Sequence, residues 1–169
     1  NYPITDVAAS TDGGLWFATE GDLVRMEWPS PWTFVGEEDG LFGALNDAEW
    51  FEGRRWVATS LGLFRSGADD QGRVRFQSLP WAPDEVWDLQ RVGDALLVGE
   101  RIQLIRGDQN RRLIDSDGVF ELIPSTFVPT RVLALETAAI VELEHAPDWR
   151  AGPRHDLGDV AVSTLVELD

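Results

Sequence analysis

Three stretches of this chain, ITDVAASTDGGLWFATEGDLVR, LNDAEWFEGRRWVATSLGLFR and VWDLQRVGDALLVGERIQLIR, lie over one another with shifts of only one residue. Ile4, Leu45 and Val86 are 41 residues apart, and so are Asp6, Asp47 and Asp88. Trp16, Trp56 and Leu97 are each followed nine residues later by an arginine, Arg25, Arg65 and Arg106, and leucine recurs at 23, 63 and 104. A fixed period of this length means a supersecondary unit that is repeated and stacked, because one such unit cannot cover its own apolar face.

Inside each copy, two runs of β-branched, aromatic and aliphatic residues flank turn chemistry: DGG at 12–14, EGR at 52–54 and VGD at 92–94. That spacing reads as a hairpin. A short connection, Glu20-Gly21-Asp22 or Ser60-Leu61-Gly62, leads to a third strand, LVRM, LFRS or LIRG, and WTFVGE, VRFQSL and RRLIDS supply a fourth. The second strand, LWFAT or RWVAT, is apolar throughout where a half-exposed strand would alternate, so both of its faces must be covered. At roughly 25 cal/mol per Å2, leaving Trp16, Phe17, Trp56 and Val57 wet would forgo several kcal/mol per unit. The links are too short for crossover helices, and no segment sustains a helical period.

The expected fold is therefore all-β, a β-propeller fragment of about four four-stranded antiparallel blades at 4–44, 45–85, 86–129 and 130–169. The last blade is degenerate: TRVLALETAAIVELEHAPDWR keeps Arg150 nine residues after Val141 but has no Trp in its second strand. AGPRHDLGDVAVSTLVELD then reads as one or two strands not completed into a blade. An uncovered edge strand invites pairing, so this end favours an excerpt of a larger propeller over a small closed ring or a homodimer joined through open blade edges.

With 169 residues, 43% of them hydrophobic, the chain supports one core-bearing domain. Thirty acidic residues face fourteen basic ones, all arginine, for a net charge of −16. Nucleic-acid binding draws on a basic stripe that releases counterions, and here even Arg54-Arg55 and Arg111-Arg112 are isolated pairs in an acidic surround. Nucleic acid and anionic membrane are disfavoured as partners, and no run approaches a membrane span. NYPITDV has no signal-peptide character. The absence of cysteine excludes disulfides, thiolate metal sites and cysteine nucleophiles.

Over DGGLWFATEGDLVR and GRRWVATSLGLFR, and at EDGLFGALND, the chain resembles the two-component regulator propeller repeat. Asp12, Gly13, Leu15, Trp16, Ala18, Thr19, Asp39, Gly40, Leu41 and Asn46 match that pattern in order, and the second copy carries Trp56, Ala58, Thr59, Gly62 and Leu63. The likeness covers residues 4 to 65, weakens towards Asp117-Gly118-Val119 and is lost beyond. It implies the sensing part of a bacterial receptor whose output is a histidine kinase or diguanylate cyclase, lying in the periplasm or outside the cell. DGGLWFATEG also resembles blades of streptogramin lyases, which would imply a lactone elimination using histidine and magnesium. Only His145 and His155 could serve, and neither falls in a copy that keeps the repeat. A third reading is a protein-interaction platform without a small ligand, which an exposed apolar patch would favour.

Among residues that carry chemistry, Asp6, Asp47 and Asp88 could ring the inner strands with carboxylates, but an acid repeated in every blade more often accepts backbone hydrogen bonds. Arg25, Arg65, Arg106 and Arg150 are expected to pair with acids at blade edges. Trp16 and Trp56 belong to the blade core. Trp50, Trp81 and Trp87, near strand ends, could line a face suited to sugars or peptides, and with Asn46 and Arg131 they form the candidate ligand-binding set. Trp28, Trp32 and Trp149 carry no assignment. Asp115-Ser116-Asp117-Gly118 lacks the further ligands of a calcium loop and reads as a turn. No cofactor, metal or catalytic residue is expected, and the function that follows is noncatalytic recognition of a carbohydrate-like or peptide-like ligand.

Overall fold

A computed structural model describes residues 4–9, 14–19, 23–27, 35–114 and 118–167, and its contacts divide the chain into two compact units, Asn1–Val35 and Gly36–Asp169. In the first, β1 (Ile4–Ala9), β2 (Gly14–Thr19) and β3 (Leu23–Glu27) form an antiparallel meander in sequence order. Trp16 pairs directly with Arg25 across β2 and β3. The turn residues Asp12 and Gly13, the side chains of Asp6 and Thr19, Trp28, and Trp32–Phe34 of the expected fourth strand lie outside the described residues.

The second unit holds three four-stranded antiparallel sheets, each a meander. One comprises β4 (Leu45–Phe51), β5 (Arg54–Thr59), β6 (Gly62–Ala68) and β7 (Val74–Ser78). The next comprises β8 (Leu89–Val92), β9 (Ala95–Val98), β10 (Gln103–Arg106) and β11 (Gln109–Arg112). The last comprises β12 (Glu121–Pro124), β13 (Arg131–Glu136), β14 (Ala139–His145) and β15 (Trp149–Asp156). Glu52 and Gly53, at φ 50° and 72°, close the first hairpin between the paired Phe51 and Arg54, the left-handed geometry that matches strand twist. Gly40 is required for a different reason: at φ 85°, a Cβ there would come within 2.4 Å of the Phe76 carbonyl oxygen.

The sheets pack face to face. Trp56, Ala58 and Leu63 meet Val86, Leu96, Val98 and Ile105 in one core, and Ala95, Leu97 and Leu104 meet Val132, Ala134, Leu143 and Trp149 in the next. Every residue of β9 is buried, its even-numbered side chains turned one way and its odd-numbered ones the other, as a strand between two sheets requires. The first strands are neighbours, β4 beside β8 and β8 beside β12. Successive meanders, stacked on both faces with their first strands side by side, are the blades of a β-propeller.

Three expectations need correction. The fourth blade begins near Val119 and not at 130, because β12 pairs with β13, so RVLALE is a second strand. The fourth strand of the third blade is Gln109–Arg112 and stops before most of RRLIDS. Leu97 pairs with Leu104 and is no counterpart of the Trp56–Arg65 pair. The cause is the connection between second and third strands, two residues between Thr59 and Gly62 but four between Val98 and Gln103. The resulting slip of two keeps Leu104 buried while carrying Arg106 past its expected partner.

Candidate functional site

Where the third and fourth blades begin, and again in the segment after the fourth, a valine amide reaches back to the middle turn of the blade before. Val86 N–H donates to the Thr59 carbonyl at 3.0 Å, Val119 N–H to Glu100 at 3.2 Å, and Val162 N–H to Thr137 at 3.0 Å. The sequence signal is Val86-Trp87-Asp88-Leu89, Val119-Phe120-Glu121-Leu122 and Val162-Ser163-Thr164-Leu165. Asn46 belongs to this fastening, its Nδ2 donating to the Val86 carbonyl at 2.8 Å.

The repeated acids act beside it. Leu89 N–H is shared between Asp47 Oδ2 at 3.0 Å and Asp88 Oδ1 at 2.9 Å, and Asp88 Oδ2 accepts Leu122 N–H at 2.5 Å. Each aspartate thus binds an amide on the first strand of the following blade. Two carboxylates converging on one donor repel. Burial pushes Asp88 up to about 6, with Asp47 adding to the rise and the Leu122 and Leu89 amides opposing it. Asp6 lies on β1, with its side chain outside the described part.

The repeated arginines divide. Arg25 and Arg65 lie over the indoles of Trp16 and Trp56, at 5.9 and 5.3 Å, as cross-strand partners. Arg106, displaced by the slip, pairs with Asp94 at 3.1 Å, and Arg150 with Glu144 at 3.3 Å.

The five candidate ligand residues are not gathered together. Asn46 and Trp50 stand near opposite ends of β4, about 13 Å apart at strand rise. Trp50 is 48% exposed, with Arg55 at 5.0 Å over its ring. Trp81 lines a narrow groove of about 120 Å3 beside Trp56, Arg65 and Asn110, and Trp87 is exposed next to Val86. Arg131 lines a different groove. His145 and His155 occupy strands of the fourth blade, about 17 Å apart along β14, since His145 ends that strand and His155 pairs with Ile140. His155 Nε2 lies 2.8 Å from Glu142 Oε1. Asp115–Asp117 lie outside the described residues.

The groove at Arg131, of about 300 Å3, opens between the third and fourth blades at their hairpin ends. Its walls come from the β8–β9 turn (Arg91, Val92, Gly93, Asp94), from Pro124 and Pro129–Val132, and from His145 and Trp149 flanking the β14–β15 turn. The 125–130 loop is held by Ser125 Oγ, which accepts the amides of Phe127 and Val128, and by Thr130 carbonyl, which accepts His145 N–H at 2.9 Å. Val132 and Trp149 are buried beneath it, and the His145 ring lies 5.3 Å from that of Trp149. Asp94 is engaged by Arg106, and Arg131 by Glu142 at 3.1 Å and Glu144 at 3.5 Å. Arg91 has no ion-pair partner among the described residues. Sequence reasoning missed Arg91, His145 and Trp149 as one group because 58 positions separate the first from the last. The only cue was a tryptophan, Trp149, that the repeat does not place.

No family model matches this chain, and no curated protein does. Among solved structures it is similar to a streptogramin B lyase, at 14% identity and a TM-score of 0.43 over 87% of this chain and 53% of that one. It is similar to catalytically inactive virginiamycin B lyase from Staphylococcus aureus with quinupristin, at 15% identity and 0.44, over 86% and 53%. The N-terminal domain of Nup159 matches at 12% identity and 0.47, over 92% and 45%. The chain spans about half the length of these structures.

Proposed function

We propose that this chain is a noncatalytic recognition segment, the ligand-sensing part of a bacterial two-component or diguanylate cyclase receptor, lying in the periplasm or outside the cell. The receptor assignment is supported by the resemblance at DGGLWFATEGDLVR and GRRWVATSLGLFR. The recognition role is supported above all by the groove between the third and fourth blades, which joins the buried Val132 and Trp149 to walls from the β8–β9 turn and the 129–132 loop. The repeated aspartates, the chain's most regular chemical feature, are engaged by amides of neighbouring blades, which makes them fasteners.

The test is a thermal-shift panel of sugars, peptides, organic acids and divalent cations. Saturable stabilisation by one compound is expected, about 2.7 kcal/mol at a hundredfold excess over Kd. Magnesium-dependent opening of a streptogramin lactone would overturn the noncatalytic reading. A membrane span followed by a kinase or cyclase in the same polypeptide would support the receptor assignment, and its absence would overturn it. The platform reading draws on Phe42, Leu45, Leu61 and Trp87, all exposed around the Ala44–Ser60 contact of the second blade. Binding that Leu61→Ser abolishes would favour it.

A further inference from the structure

We infer that the groove between the second and third blades takes a single carboxylate. Its donor is Arg65. This residue stands opposite Trp56 on the neighbouring strand, and the Trp56 side chain lies in the core shared with the third blade, so the register turns Arg65 towards that blade. Its Cζ is 5.3 Å from the centre of the Trp56 ring. A guanidinium lying over an indole gives its face to the ring and keeps its N–H donors at the edge, in its own plane. No hydrogen bond or ion pair takes up those donors among the described residues, although the side chain is half-buried. Arg106, its counterpart in the repeat of the third blade, is instead neutralised by Asp94.

The rest of the groove sets the size and charge of what enters. Its volume is about 120 Å3, and at roughly 30 Å3 for each water displaced it holds little more than a carboxylate group. A guanidinium matches that group through two parallel N–H donors, and such bonds are stronger than neutral ones. Asn110 stands opposite Ile105, whose side chain belongs to the same core, so the Asn110 carboxamide is on the face turned to the second blade and adds a neutral donor. Leu79 and Ile105 make the floor apolar. Asp108, on the turn between β10 and β11, lines the same groove and opposes a second negative charge, which favours a carboxylate over sulfate or phosphate. Trp81, which lines the groove and is 38% exposed, presents an indole to whatever carries the carboxylate, and so favours an apolar group attached to it.

The same carboxylate chemistry belongs to a small free acid and to a peptide chain end. Acetate stands for the first and N-acetyl-Phe-Gly for the second, each with its amide as the uncharged control. Calorimetric titration of the whole chain, with the Arg65 Nε–H and Trp81 indole N–H signals followed by NMR, reads affinity and place together. Saturable binding of N-acetyl-Phe-Gly that shifts both signals is expected, about tenfold tighter than acetate. Affinity should fall at least about tenfold for the peptide amide and for Arg65→Gln, and return in part in Arg65→Lys. Trp81→Ala should remove the advantage of the peptide and leave acetate unchanged. Equal affinity for acetate and peptide, with the same Arg65 dependence, would support the site and make the free acid its source. Equal affinity for acid and amide, an unchanged Arg65→Gln, or sulfate binding more tightly than acetate would overturn the inference. Binding by none of these ligands, with the Arg65 signal unmoved, would overturn it as well, and would leave the recognition role, which draws on the groove between the third and fourth blades, standing on its own test.

Discussion

The second and fourth blades share one architecture and almost no chemistry. Both are four-strand meanders in sequence order, and both receive a valine amide of the following segment on the turn after their second strand, Val86 on Thr59 and Val162 on Thr137. The second blade fills its core with Trp56 and Phe51, covers the indole with Arg65, and uses Asp47 to hold an amide of the next strand. The fourth is mainly aliphatic, with Leu133, Ala134, Leu135 and Leu143 inside, and its buried indole, Trp149, stands on the fourth strand and not the second. Its far face carries ion pairs of Arg131 with Glu142 and Glu144, and Arg154 pairs with the buried Glu136 on the face turned to the third blade. At the aspartate position stands Glu121, whose Oε2 is buried with no hydrogen-bond partner among the described residues, while Glu167 reaches back to the Thr126 amide at 2.7 Å. The backbone fastening is thus common to the second, third and fourth blades, and the side chains are one of several ways to complete it.

Core truncations should break this comparison most visibly. Trp56→Ala is expected to cost about 3–5 kcal/mol and Leu135→Ala about 2–5 kcal/mol in denaturant unfolding. A loss below about 1 kcal/mol for Leu135→Ala would mean that the fourth blade is the looser of the two. Asp88 gives the next effect. Its carboxyl is raised from 3.8 to about 6 in the folded chain, so folding takes up a proton between these values and stability falls as pH rises from about 4 to about 6. Asp88→Asn should flatten that slope, by about 1–3 kcal/mol across the window, in unfolding measured at a series of pH values.

Val162→Pro removes one amide from the fastening and should cost about 1 kcal/mol. A null result would place the weight of the last blade on its ion pairs. Smallest are the surface contacts. Arg65→Ala should lose about 0.5–1 kcal/mol of cation–π attraction. Arg150→Ala, which breaks an exposed pair with Glu144, should lose under about 0.5 kcal/mol.

The same contrast explains what was legible in the sequence. Trp16 and Trp56 with their arginines, and Asp47 with Asp88, made the first blades plain, because identical side chains at a constant interval reflect identical surroundings. The fourth blade's start was misplaced because the third is compressed: four-residue strands joined by Gly107-Asp108 bring Val119 only 33 positions after Val86. Backbone fastening leaves little trace in side-chain identity, so Val119-Phe120-Glu121-Leu122 passed unnoticed. The groove was hidden for a geometric reason. It is assembled from turns of two blades, and periodicity reports what blades have in common and not what a pair of them encloses.

The connection between second and third strands, two residues long in one blade and four in another, carries a rule for altering this protein. Side chains on a strand alternate, so a change of pairing register by two preserves which of them face inward, whereas a slip of one would turn Leu104 and its neighbours outward. Loops grafted at this point should therefore be accepted at any length that leaves β10 in its register on β9, the added residues standing in the turn.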